Sequence, residues 1–376
     1  DLTVAIERAP TGDVWTLRCT DGAVPLRALA AGAQPRPAWL AAALGDLLPR
    51  AVVPGGTTAR WNGDRVRVDL AARWESGEAT GSLSYDPDAG RVTGTALEVV
   101  DTGIGHLAGA TFGLDAAGGA AEWTRFDGSA LLDGARTTTL APLPWHRLDA
   151  VLPRGSARWR AAGPWSLAVA RTGDAGASLR WHCRGDGEAG LEVAGLAVDI
   201  LRGRLLPREV GEGRIATARF RRTGGRWRGG ATLGDARIAL GAWRLAAATA
   251  SLRVPGDTAT VATAGDDAWE VRWEADAVAL TATLADGRIV APPWPAGWRG
   301  RIRARGPRSG PLSAWSLTLV HPGFDGLLAP WTAEIRDADG TPWLAARSLA
   351  WRVPALAAIL PEAGRVTIDA TGSRVA

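Results

Sequence analysis

Apolar and polar side chains alternate along most of this chain with a period of two. In the stretch Arg65-Val66-Arg67-Val68-Asp69-Leu70-Ala71-Ala72-Arg73-Trp74-Glu75 the even positions are apolar and nearly all the odd ones are charged. A strand with one face buried and one face wet reads this way. The pattern returns in Leu2-Val4-Ile6, in Trp269-Val271-Trp273 against Glu270, Arg272 and Glu274, and in Trp315-Leu317-Leu319. Antiparallel sheets carry this signature, whereas parallel sheets covered on both faces read as continuous apolar runs.

Turn signals separate the runs: Asn62-Gly63-Asp64, Asp86-Pro87-Asp88-Ala89-Gly90, Asp127-Gly128, Gly224-Gly225, Gly234-Asp235, Asp286-Gly287 and Asp339-Gly340. Gly, Asn and Asp tolerate positive φ and close hairpins at little cost. The expectation is an all-β, elongated antiparallel meander of roughly 18 to 24 strands, a curved, taco-like sheet or a sandwich, with a few short helices. Helical candidates are 37–48, 196–206 and 354–360, each short, apolar and flanked by proline. The organisation reads as a β-rich segment over 1–150 and a continuing meander over 151–376, or as one continuous elongated domain.

Composition changes the picture in one respect. The chain has 376 residues with no Met, 48 Gly and 19 Trp, and only one Asn (Asn62), one Gln (Gln34) and one Tyr (Tyr85). Residues with AT-rich codons are scarce, which points to a high-GC genome. The pI of about 10.1 arises from arginine, yet the net charge is only +4. Basicity is therefore no argument for nucleic acid. The run Arg299, Arg301, Arg303, Arg305 alternates as one solvated sheet face would, with an anion contact as the other reading.

Cys19 and Cys183 lie far apart, each beside bulky apolar residues. They read as two buried thiols or as a disulfide, and their spacing suggests no zinc site. His106, His146, His182 and His321 are scattered. No GxSxG, HExxH, P-loop or helix-opening GxGxxG occurs, so no catalytic, metal or cofactor-binding residue is assigned. No run of 18 apolar residues predicts a membrane-spanning helix. A chain that starts at Asp1 without any Met predicts a segment upstream.

Four places share one design, a leucine-rich turn ending in Leu-Pro, then a Gly, then a β run. The prolines are Pro49, Pro153, Pro207 and Pro361, separated by 104, 54 and 154 residues, near multiples of about 50. This Leu-Pro and Gly design, repeated in a Gly/Ala/Arg-rich meander, resembles the AsmA-like proteins of the Gram-negative envelope, including the TamB and YdbH branches. The resemblance implies an inner-membrane anchor upstream, a periplasmic β-sheet with an apolar groove, phospholipid or another lipid as the bound partner, and no cofactor. The type II secretion protein N family has a similar texture and implies instead an assembly subunit among envelope proteins.

A one-sided sheet must cover its apolar face with a second sheet, helices, itself or lipid. The candidates to face lipid are Val66, Val68, Leu70, Trp74, Trp159, Leu179, Trp181, Trp269, Val271, Trp273 and Leu317. The other reading of the same residues is an ordinary sandwich core.

Overall fold

A computed structural model describes residues 2–10, 14–23, 52–102, 105–127, 143–161, 165–203, 205–240, 243–256, 258–264, 268–284, 300–308, 314–323, 328–338, 341–347, 349–350, 352–358, 364–369 and 372–375. They are almost all antiparallel β-strand, as the alternation requires. The chain divides into two units, Asp1–Ala194 and Gly195–Ala376. The sequence boundary at 150/151 falls inside the first.

The first unit contains β1 (Leu2–Arg8), β2 (Trp15–Gly22), β3 (Thr58–Trp61), β4 (Val66–Trp74), β5 (Gly77–Asp86), β6 (Arg91–Asp101) and β7 (Gly105–Asp115). It continues with β8 (Gly118–Trp123), β9 (Arg125–Phe126), β10 (Arg154–Arg160), β11 (Ser166–Thr172), β12 (Ser178–Arg184) and β13 (Ala189–Ala197), the last of which runs across the division. Among the described pairs from β1 to β13, each strand pairs with the next in sequence, except that β9 bonds to β7 and β10 takes its place beside β8.

The second unit contains β14 (Val210–Thr223), β15 (Arg226–Leu240), β16 (Trp243–Val254), β17 (Ala259–Ala262), β18 (Ala268–Trp273) and β19 (Ala277–Leu284). It ends with β20 (Gly300–Pro307), β21 (Ser316–His321), β22 (Trp331–Ala338), β23 (Thr341–Arg347), β24 (Gly364–Asp369) and β25 (Gly372–Val375). Here every strand pairs with its sequence neighbour, without exception among the described pairs.

The turns form for the expected reason at Asn62-Gly63-Asp64, at Asp86–Gly90 and at Gly224-Gly225, where both glycines have positive φ (58° and 78°). Gly234-Asp235 is a correction. It does not end a strand but lies inside β15, where Asp235 takes φ 49° and the register with β14 and β16 shifts. A residue pair that tolerates positive φ can make a bulge as readily as a turn. A second group of bulges crosses β5, β6 and β7 near Gly81, Ala96 and Gly109. Bulged strands bend, so the first unit's sheet bends there.

Of the helical candidates, 196–206 is also corrected. The chain stays in β13 to Ala197 and then makes only a 3-10 turn over Val198–Ile200. Beyond Ala197 the run is held by local turn bonds, Arg202 N–H to the Val198 carbonyl and Leu205 N–H to the Leu201 carbonyl, and these do not propagate into a continuous helix. A helix forms at Pro354–Ala357, and 37–48 lies outside the described residues. The longest helix among the described residues, Trp145–Val151, was not anticipated. It precedes Leu152-Pro153 and β10, the same Leu-Pro design that at Leu206-Pro207 precedes β14. Leu152 and Leu206 are both buried. Pro49 and Pro361 lie outside the described residues, as do Asp286-Gly287, Asp339-Gly340 and Gly128.

Candidate functional site: an apolar sheet face

Residues directly opposite one another in an antiparallel pair share a face. Following the register across the first unit gives one row: Ile6, Leu17, Ala59, Val68, Leu83, Gly94, Phe112, Ala121, Ala157, Val169, Trp181, Leu191. Twelve strands contribute and none places a polar side chain in it. The row passes from wet to dry. Ile6 is 61% exposed, most residues from Leu17 to Val169 are half-buried, and Trp181 and Leu191 are buried.

The row beside it starts with three exposed aromatics in register, Trp15, Trp61 and Tyr85, with Val66 between the last two. The Arg8 guanidinium stacks 5.2 Å from the Trp15 ring centre, a cation–π contact that keeps the charge at the water boundary.

Four aromatic rings on this face lie over a glycine in the directly opposite position: Trp74 over Gly77, Phe112 over Gly94, Trp159 over Gly119 and Trp123 over Gly155. A Cβ at any of these glycines would collide with the ring or with the neighbouring backbone. The glycines are thus needed for space rather than for φ, and they let the rings lie flat on the sheet. Trp74 is also pinned by its indole N–H, which donates to the buried Asp101 carboxylate, and the Ser76 hydroxyl donates to the same oxygen at 2.6 Å.

A buried arginine fastens the helix Trp145–Val151 to this face. Arg171, two residues from Val169 and therefore on the same face, is 2% exposed. Its Nη1 donates to Asp149 Oδ1 at 2.7 Å, Nε to the Leu152 carbonyl at 2.8 Å and Nη2 to the Phe126 carbonyl at 3.2 Å. The guanidinium also lies 5.8 Å from the Phe126 ring centre. A buried charge survives only with such a set of partners. Leu143, Leu148 and Leu152 are buried alongside.

The eleven candidates divide between two environments. Val66, Val68, Leu70, Trp74 and Trp159 are half-buried on the first unit's face. Leu179 and Trp181 share that face and are buried. Trp269, Val271, Trp273 and Leu317 belong to the second unit and are buried there.

In that unit the row Ala218, Ala231, Leu252, Val261, Val271, Leu280, Ala304, Leu317 spans eight strands with no residue above 8% exposure. Leu83, Phe112 and Val169 complete the first unit's face and were missed. Leu83 and Val169 each sit on the apolar phase of a short alternating run. Arg301, Arg303 and Arg305 point to solvent between buried Ile302 and Ala304, and Arg305 pairs with Glu274 at 2.7 Å.

Cys19 and Cys183 are both free thiols, the first half-buried and the second buried. Burial pushes the Cys183 thiol up to about 12, an effect the Leu167 backbone hydrogen bond partly opposes. Among the described residues no three His, Cys, Asp or Glu side chains gather at metal-binding distance, and no helix is long and apolar enough to cross a membrane. Comparison with protein-family models, with curated proteins and with solved structures found no match.

Proposed function

We propose that this chain is a non-catalytic protein of the Gram-negative envelope, AsmA-like in kind, whose first unit binds lipid acyl chains along its apolar sheet face in the periplasm. The observation that carries the reading is the half-exposed row from Leu17 to Val169. Soluble monomers rarely leave a contiguous apolar patch of more than a few hundred Å² to water. Ten strands from Ile6 to Val169, about 4.8 Å apart, give a contour of about 43 Å. An acyl chain spans half of a hydrocarbon core about 30 Å thick, so the row has room for more than one. The flat aromatic rings and small residues (Ala59, Ala121, Ala157) favour a smooth track over a pocket shaped for one ligand. The second unit, whose matching row is dry, serves in this reading as scaffold.

Native mass spectrometry and solvent extraction of the purified chain test the proposal. Co-purifying phospholipid, lost in a Val68→Glu/Leu83→Glu variant that stays folded, is the expected result. A lipid-free chain that instead holds a stoichiometric protein partner through the same face would overturn it and favour an assembly subunit of the type II secretion kind.

A further inference from the structure

One position along each strand from the second unit's dry row stands a residue of the opposite, wet face. Following the register there from β14 to β21, Arg219, Arg253, Arg272 and Arg305 alternate with Gly230, Thr260, Ala279 and Ser316. All four arginines are exposed, and no acid stands in the row. Strands lie about 4.8 Å apart, so the arginines recur about every 9.6 Å over a contour of about 29 Å. The neighbouring row on the same face is rich in hydroxyls, from Thr217, Thr232, Ser251, Thr281 and Thr318. Between β14 and β21 its charged members are Glu270 and Arg303.

Codon bias does not explain this placement. The chain as a whole holds 43 basic and 39 acidic residues, and a bias towards arginine sets their number without sorting them by position. In the first unit, exposed arginines stand beside carboxylates, Arg67 at 3.8 Å from Asp69, Arg73 at 3.5 Å from Glu78 and Arg184 at 3.4 Å from Glu188. In the second unit's row Arg305 pairs with Glu274 at 2.7 Å, whereas Arg253 and Arg272 pair with no described carboxylate. Like charges in a line add their fields, and a guanidinium takes an oxyanion with two parallel bonds.

We infer that this wet face binds a flexible acidic polysaccharide laid across the strands, its anionic groups on the arginine row and its sugar hydroxyls against the Thr and Ser row. Twist favours a flexible chain over a flat bilayer. Neighbouring strands turn by about 20–25°, so the row's outward direction rotates by about 120° or more from β14 to β20. A polymer can follow that rotation, and a plane meets only part of it. Neither row contains an aromatic side chain, which removes the stacking platform that single-stranded nucleic acid uses. A polymer charged once per disaccharide presents its anions at close to the arginine interval, and its hydroxyls both donate and accept, as those of Thr and Ser do. This surface stands independently of the lipid reading of the first unit.

Hyaluronan oligosaccharides, which carry one carboxylate per disaccharide, provide the test in calorimetric titrations of the full chain. Affinity is expected to rise with length up to about four disaccharides, one for each arginine, and then to level off. The variant Arg253→Ser/Arg272→Ser, altered at exposed positions, should weaken the longest oligosaccharide about tenfold. It should also lower the slope of log affinity against log salt by about one to two. Arg67→Ser/Arg73→Ser removes as much charge from the first unit and should change neither quantity.

Equal weakening by the two double variants, with circular dichroism confirming that both are folded, would reduce the effect to net charge and overturn the inference. Absence of saturable binding to the wild type would do the same and leave a merely solvated face. Oligothymidylate and phosphatidylglycerol vesicles are the comparison arms. Tighter binding of either at the same salt, lost in Arg253→Ser/Arg272→Ser, would give the row to nucleic acid or to a bilayer and overturn the polysaccharide assignment.

Discussion

The two units carry the same kind of row and treat it differently. In the second, eight apolar residues from Ala218 to Leu317 lie in register and are all buried. In the first, Ile6 to Val169 lie in register over ten strands and remain at least partly open over most of that length. Both units pair their strands antiparallel and both contain bulges, so backbone hydrogen bonding does not account for the contrast. The difference lies in what stands over the face. It teaches that alternation specifies a sheet with an apolar side, while dryness is a separate property supplied by other parts of the structure. In the first unit the change from open to dry falls near Arg171 and the helix it holds.

That junction is where the largest effect is expected. Arg171→Ala takes the guanidinium away from the buried Asp149 carboxylate and should cost about 3–5 kcal/mol. The apolar pair Arg171→Met with Asp149→Leu should recover most of it. Denaturant unfolding with hydrogen exchange on β10 to β12 reads the result, and a loss under about 1 kcal/mol for Arg171→Ala would deny the ion pair its fastening role.

Next comes a matched pair of truncations. Leu252→Ala in the dry row should cost about 2–5 kcal/mol, whereas Leu83→Ala in the open row should cost about 1 kcal/mol or less, because less of its surface leaves water on folding. Equal costs would erase the comparison.

A smaller effect is expected from Gly94→Val, about 1–3 kcal/mol, since the new side chain must displace the Phe112 ring. Gly63→Val, in a turn where nothing lies within 4 Å of an added Cβ but φ is +91°, distinguishes loss of space from backbone strain.

The smallest effect concerns the thiols. The Cys183 value is raised in the folded chain from 9.0 to about 12, so the stability it confers is intact below pH 9 and drains as the pH climbs towards 12, by at most about 1.4 kcal/mol per pH unit. Cys183→Ala should flatten that part of the pH profile. At pH 8 iodoacetamide should label Cys19 well before Cys183, and the reverse order would contradict the burial gradient along the first unit's face.

Much of this was legible in the sequence. The period-two runs gave the strands, the Asn-Gly and Gly-Gly pairs gave their turns, and the parity of Val66, Val68, Leu70 and Trp74 gave the face they share. The strands at Val66–Trp74 and at Ala268–Trp273 read alike, however, and only one of them is dry. Where the cover is described, at Arg171, it comes from residues 19 to 45 positions away, and a local pattern carries no record of them.

Arg171 hid for a related reason. A charge on the apolar phase of Leu167, Val169 and Arg171 looks like a break in the pattern, and its partners lie 19 to 45 residues away. Gly234-Asp235 failed differently, because bulge and turn ask for the same residues.

The neighbour-to-neighbour order of the strands has a consequence for how such a chain can change over generations. A strand that bonds only to those before and after it depends on no distant segment for its place in the sheet. A hairpin can then be lost or copied as a unit, with the flanking strands closing on each other in the old register and every parity preserved. Length becomes a heritable variable, adjustable in steps of two strands, about 9.6 Å of sheet at a time, without inventing a new fold.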